Sequence, residues 1–206
     1  MNHPVAVLSG DETRGVASLH GFEPVRNMNE LKFGGQYRID SVRLAEYDYG
    51  SSGMYFVTVC TQNKQCCLGD VIYTDNQWTI LPSVIGQRVI EGWLQITTFH
   101  SYVHLDAFQL MPNHIHGILI IDKPAYTDWQ PNRFGPQRQN LASIMRGFKS
   151  GVKSFATANQ IDFTWQSRYY ERVIRSDDEM KRIRHYIDAN PSNWYRDRDN
   201  AENPFM

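Results

Sequence analysis

The sequence predicts an α+β fold: an antiparallel sheet with helices packed on one face. Segments rich in β-branched and aromatic residues alternate with segments that are apolar at helical spacing, in the order β, α, β, β, α, β, α. Two of the strand segments are separated only by the turn dipeptide Pro112-Asn113, which reads as a β-hairpin. At 206 residues, 41% of them hydrophobic, the chain is long enough to bury a core without staples.

Residues 1–40 show no sustained period and many turn formers, and read as a loosely ordered arm, with 37–44 as a short strand candidate. After the turn cluster at 47–53, residues 54–61 are a strong strand candidate, and 71–80 suggest a small hairpin around Asp75-Asn76. Residues 81–98 follow a proline start and place Val84, Ile85, Val89, Trp93 and Ile96 near helical spacing. Strands are expected at 103–111 and 114–121, then a proline-rich loop over 122–140.

A helix over 141–158 sets Ile144, Phe148, Val152 and Phe155 on one face, and 171–175 is a short strand candidate. Ser176 with Asp177, Asp178 and Glu179 marks a helix start. That helix is expected to run to about Asn190 and stop at Pro191. The arrangement has the rhythm of ferredoxin-like and RRM-like sheets, which names no function by itself. Residues 41–195 are expected to form the working domain and 196–206 a C-terminal tail.

Composition excludes several classes. The longest apolar stretch, 117–121, is far short of the roughly 18 to 20 residues that span a membrane. The first dozen residues lack a charged n-region, so no leader is expected. Cys60, Cys66 and Cys67 make neither a disulfide framework nor a CxxC zinc site. The expectation is a soluble, cytoplasmic protein.

The net charge of −1 is unevenly spread. Residues 1–132 carry 8 basic and 13 acidic side chains, residues 133–184 carry 11 and 5, and the remainder 2 and 4. The basic third is where a polyanion would dock. Arg146, Lys149 and Lys153 recur at helical spacing, and Arg168, Tyr169, Tyr170 and Arg172 mix cations with rings suited to unpaired bases.

His114 and His116 flank Ile115 in a strand, so both imidazoles project from one face and can share a divalent ion. Tyr186 and Asn190 are four apart on the last helix, one turn from each other on one face. Ile183 and Ile187 mark the buried stripe of that helix, which leaves Tyr186 at the rim between core and solvent.

Five blocks together resemble a known family: YFVTVCTQNK at 55–64, MPNHIHGILII at 111–121, IMRGFKSGVKS at 144–154, WQSRYYERVIR at 165–175 and IRHYIDANPSNW at 183–194. In order and spacing they are similar to the REP-associated tyrosine transposase branch of the single-tyrosine HUH (insertion-sequence type) transposases, over about residues 40–195. The resemblance implies an HUH endonuclease fold, His114, His116 and Asn190 as metal ligands, and Tyr186 as the nucleophile. It implies a Mg2+ or Mn2+ cofactor, a hairpin-bearing REP-like single-stranded DNA partner, a place on the bacterial nucleoid when bound to DNA, and a monomer or a homodimer that exchanges the tyrosine helix.

The residue types suit that chemistry. A free phenol has a pKa near 10 and is a weak nucleophile at neutral pH without help. A divalent ion on two imidazoles and an amide oxygen polarises a phosphate, and such donors suit manganese or magnesium while also accepting zinc.

Two other readings use fewer of these residues. A non-catalytic, single-stranded nucleic-acid-binding module with an RRM-like sheet would stack bases on Tyr55 or Phe56 and Phe108. A metal-dependent hydrolase would need a general base, and neither Asp106 nor Asp122 has a spacing that marks it as one.

Overall fold

The computed structural model describes residues 32–33, 36–37, 47–127, 129, 138–196 and 200. The chain divides into two units, Met1–Val42 and Arg43–Met206. In the first, β1 (Lys32–Phe33) pairs antiparallel with β2 (Gln36–Tyr37). The remainder of the expected arm, the strand candidate beyond Tyr37 and most of the expected tail lie outside the described residues.

The second unit is built on a four-stranded antiparallel sheet. Its strands are β3 (Gly53–Cys60), β6 (Val103–Leu110), β7 (His114–Ile121) and β8 (Tyr170–Ile174), in the spatial order β6-β7-β3-β8. A separate hairpin joins β4 (Gly69–Thr74) to β5 (Gln77–Pro82). Asp75 and Asn76 turn that hairpin at φ 50° and 60°, as residues of this type do in two-residue loops.

The pleat sorts side chains between the two faces of the sheet. Tyr55, Val57, Val59, Ile115, Leu119 and Ile121 enter the larger core, covered by α1 (Val84–Leu94) and α3 (Leu141–Ala158) through Ile85, Val89, Trp93, Ile144, Phe148 and Val152. The alternate residues Phe56 and Ile118, with Ile174, form a smaller core under Met180 and Ile187 of α4 (Asp177–Asp188). The expected α+β fold with an antiparallel sheet is therefore present, and α4 adds a cover to the second face. Gly117 lets α1 approach: a Cβ there would overlap the Trp93 indole.

Two boundaries differ from expectation. Leu81 and Pro82 do not start a helix, because Leu81 pairs with Asp70 and Pro82 with Gly69 to complete β5. The helix instead begins after Ser83, whose Oγ accepts the Gly86 N–H at 3.1 Å, and a break at Gln95 separates the short α2 (Ile96–Phe99). Pro191 does not end the last helical stretch. It sits in the first turn of α5 (Asn190–Asn193), where its missing N–H costs nothing. A 3-10 turn, Trp194–Arg196, follows. Among the described residues no helix is long and apolar enough to cross a membrane.

Candidate active site

The face under α4 carries both histidines. His114 is fully buried and His116 is 2% exposed. Their Nε2 atoms lie 3.1 Å apart. Asn113 turns one ring: its Nδ2 donates to the Lys64 carbonyl at 3.1 Å, so its Oδ1 faces His114 and accepts from Nδ1 at 2.7 Å. That leaves the His114 Nε2 with its lone pair toward His116. Thr58, directly opposite His116 across β3 and β7, places its hydroxyl 2.8 Å from Nδ1 of that ring.

Tyr186 reaches the pair from α4. Its hydroxyl is 3.3 Å from His116 Nε2, its ring lies 5.1 Å from the imidazole and 6.1 Å edge-on to Phe56, and the side chain is half exposed. One turn on, Asn190 is 3% exposed. Its Nδ2 donates to the Tyr186 carbonyl at 3.4 Å, while its Oδ1 is buried without a hydrogen-bond partner. Trp194, one further turn along, packs its ring 6.1 Å from His114.

The helix is tied to both edge strands. Arg172 of β8 donates to Glu179 through Nε at 2.7 Å and Nη2 at 2.6 Å, and Glu179 also accepts the Arg175 N–H. On the opposite edge Arg184 makes a bidentate pair with Asp106 of β6, both contacts 2.7 Å. A β-bulge between Leu105 and Phe108 aims that carboxylate: Leu105 and Phe108 both pack on the larger core, while Ala107 joins the smaller one. Asp106 Oδ1 also accepts the Ala107 N–H at 2.8 Å. The Arg184 guanidinium holds the Asp106 carboxyl below its usual range. α4 thus crosses the sheet over the histidine strand with an ion pair on each side.

The donor set fits a divalent ion. Two nitrogens 3.1 Å apart suit neighbouring ligands on one ion at bond lengths of about 2.1 Å. The unpartnered Asn190 oxygen supplies an acceptor whose burial is otherwise uncompensated. Among the described residues no group of three or more His, Cys, Asp or Glu side chains is placed to hold a metal, and Asn190 supplies an oxygen donor of another residue type beside the two imidazoles.

The expected DNA contacts are less uniform. Arg146 is exposed on α3, and Arg168 is exposed in the segment before β8. Lys149 donates to the carbonyls of Gln166 and Arg168, and Lys153 to those of Phe163 and to Thr164, so both lysines hold that segment against α3. Burial pulls the Lys149 ammonium below the usual lysine range. Tyr169 packs against the larger core, and Tyr170, 53% exposed with its ring 6.2 Å from Phe56, is the open ring of the two.

The rings expected to stack bases on an RRM-like sheet are not available there. Tyr55 is fully buried, Phe56 is 8% exposed, and Phe108 stacks on Trp93 with centroids 5.2 Å apart. Asp106, the carboxylate weighed as a general base, is committed to Arg184. Sequence reasoning did not single out Thr58, Asn113 or the two ion pairs. Asn113 was legible only as a turn residue, and Thr58 meets His116 through strand register alone.

No protein-family model matches the sequence. A Haemophilus influenzae protein described only as uncharacterized is 39% identical over 166 residues, covering 76% of this chain and 90% of that protein. Among solved structures, the REP-associated tyrosine transposase bound to a REP hairpin is similar in fold, with a TM-score of 0.52 at 16% identity, over 76% of this chain and 74% of that one. The chain therefore has the fold of that transposase, and it belongs to one family with the Haemophilus influenzae protein.

Proposed function

We propose that the protein is a single-stranded DNA endonuclease and strand transferase of the transposase kind, which cuts at or near a DNA hairpin and carries the 5′ phosphate on Tyr186. The observation that supports this reading best is the Tyr186 hydroxyl beside the buried His114–His116 pair, with the unpartnered Asn190 oxygen one turn away. Residues 41–195 would form the catalytic domain.

His114 Nε2, His116 Nε2 and Asn190 Oδ1 would hold Mg2+ or Mn2+. When bound, the ion polarises the scissile phosphate and offsets the charge that gathers on it. Thr58 and Asn113 fix the rings so that both Nε2 atoms face one point. Tyr186 attacks phosphorus, the P–O3′ bond breaks, and the departing 3′ oxygen takes up a proton while the phenol gives one up. The reaction is balanced in protons and keeps one phosphodiester-type bond, so a 3′-hydroxyl can reverse it and rejoin strands without ATP.

In this reading Arg146 and Arg168 contact phosphates, and Arg172 sits at the site's edge while bracing α4. Lys149, Lys153 and Tyr169 act by holding the segment that carries Arg168. Tyr186 meets the histidines of its own chain, so the proposed reaction needs no exchange of α4 between subunits. A DNA substrate would place the working protein in the cytoplasm, on the nucleoid.

Covalent capture tests the reading. Wild type and Tyr186→Phe are incubated with Mn2+ and a library of labelled single-stranded hairpins, then separated on a denaturing gel. An adduct in wild type alone supports the tyrosine nucleophile. An adduct in both moves the nucleophile elsewhere, and hairpin binding without any adduct leaves a binding module.

A further inference from the structure

We propose that Tyr73, Trp78 and Tyr195 form a stacking platform for unpaired bases of the DNA strand as it leaves the catalytic site. This rests on the proposed reading of that site and adds a binding surface to it.

The three rings are 58%, 39% and 54% exposed. Tyr73 and Trp78 are direct partners across β4 and β5, with centroids 5.1 Å apart at 59°. Tyr195 approaches Trp78 edge-on from the 3-10 turn after α5, at 5.9 Å and 73°. Single exposed aromatics need no explanation, but two rings that both meet Trp78 make with it a contiguous apolar surface of the kind that meets a partner.

Position identifies the partner. Tyr195 directly follows Trp194, whose buried ring lies 6.1 Å from His114, so the platform adjoins, one residue along the chain, the wall that Trp194 lends to the histidine site. A strand whose phosphate lies at that pair would pass its neighbouring nucleotides along this wall. Tilted and edge-on packing leaves ring faces open, and every base has a face to match. The exposed Arg196, next to Tyr195, supplies a cation for the backbone. The flanking turn at Asp75-Asn76 fixes the outer end of the hairpin, so the rings are held before any strand arrives.

The test compares two probes: a DNA hairpin with an oligothymidine extension, and the same hairpin trimmed flush. Binding to each is measured for wild type, Trp78→Ala and Tyr73→Ala/Tyr195→Ala, with circular dichroism as a check on folding. The expected result is about a tenfold or greater loss of affinity for the extended hairpin in either variant, with the flush hairpin unaffected. Equal losses on both probes, no loss on either, or no binding of the extended hairpin by wild type would overturn the platform. Failure of the catalytic reading looks different: wild type forms no adduct, while the variants still lose affinity for the extended hairpin alone.

Discussion

The Tyr186 hydroxyl lies 3.3 Å from Nε2 of His116, 70 positions away in sequence and across a helix–sheet boundary. Two ion pairs to opposite edge strands and a small apolar core under α4 hold that distance. The exposed tyrosine is therefore positioned by its helix rather than by its own burial.

Tyr186→Phe removes the nucleophilic oxygen while keeping the ring against His116 and Phe56. Covalent DNA adducts are expected to disappear on a denaturing gel, with hairpin retention in a filter assay little changed. A variant that lost binding as completely as chemistry would assign Tyr186 a recognition role instead.

Asn190→Ala deletes a buried acceptor that has no partner. Without metal the variant is expected to lose at most about 1–2 kcal/mol, because it gives up the long Nδ2 bond to the Tyr186 carbonyl and some packing but also removes a buried oxygen without a partner. With Mn2+ added, wild type should gain in Tm and the variant should gain less. Parallel thermal scans with and without the ion report both halves.

Thr58→Val replaces the hydroxyl beside His116 Nδ1 with a methyl group of similar size. The ring then loses the hydroxyl that orients it, and Mn2+ affinity is expected to fall about 10- to 100-fold by titration calorimetry. Near-wild-type affinity would show that packing alone orients the imidazole.

The Asp106–Arg184 pair makes α4 acid-sensitive. The folded carboxyl titrates below its ordinary value, so the pair stabilises the protein fully above about pH 4, the ordinary aspartate range. That contribution is lost as pH falls through the depressed folded value. Asp106→Asn is expected to lower the urea midpoint at neutral pH and to flatten its decline on acidification. Parallel declines in both proteins would place the acid dependence in other carboxylates.

Gly117→Ala should cost about 1–3 kcal/mol, since the added methyl meets the Trp93 indole on the face away from the histidines. Urea denaturation measures the loss. Mn2+ affinity of the folded variant should be unchanged, which separates support of the sheet from the site itself.

Much of this was legible in the chain. Strand β7 and helix α3 have the predicted bounds because alternation and helical spacing are local properties, carried by residues a few positions apart. The His-x-His pattern likewise fixed both imidazoles on one face, since a strand's period is two. The buried stripe of Ile183 and Ile187 placed Tyr186 at the rim of its helix, and it is half exposed there.

Other features were decided only by the tertiary structure. Leu81 and Pro82 fit a helix start by local pattern, yet pairing with β4 made them a strand. Arg146, Lys149 and Lys153 read as one basic helix face, and the structure adds that both lysines reach carbonyls of the 163–168 segment, which no helical pattern could reveal. Thr58 gained a role by strand register, and Asp106 through a bulge that turned it toward Arg184. Local sequence sets the period and facing of each element. Which faces meet depends on how the apolar surfaces of distant segments are jointly buried, and that put α4 over the histidines.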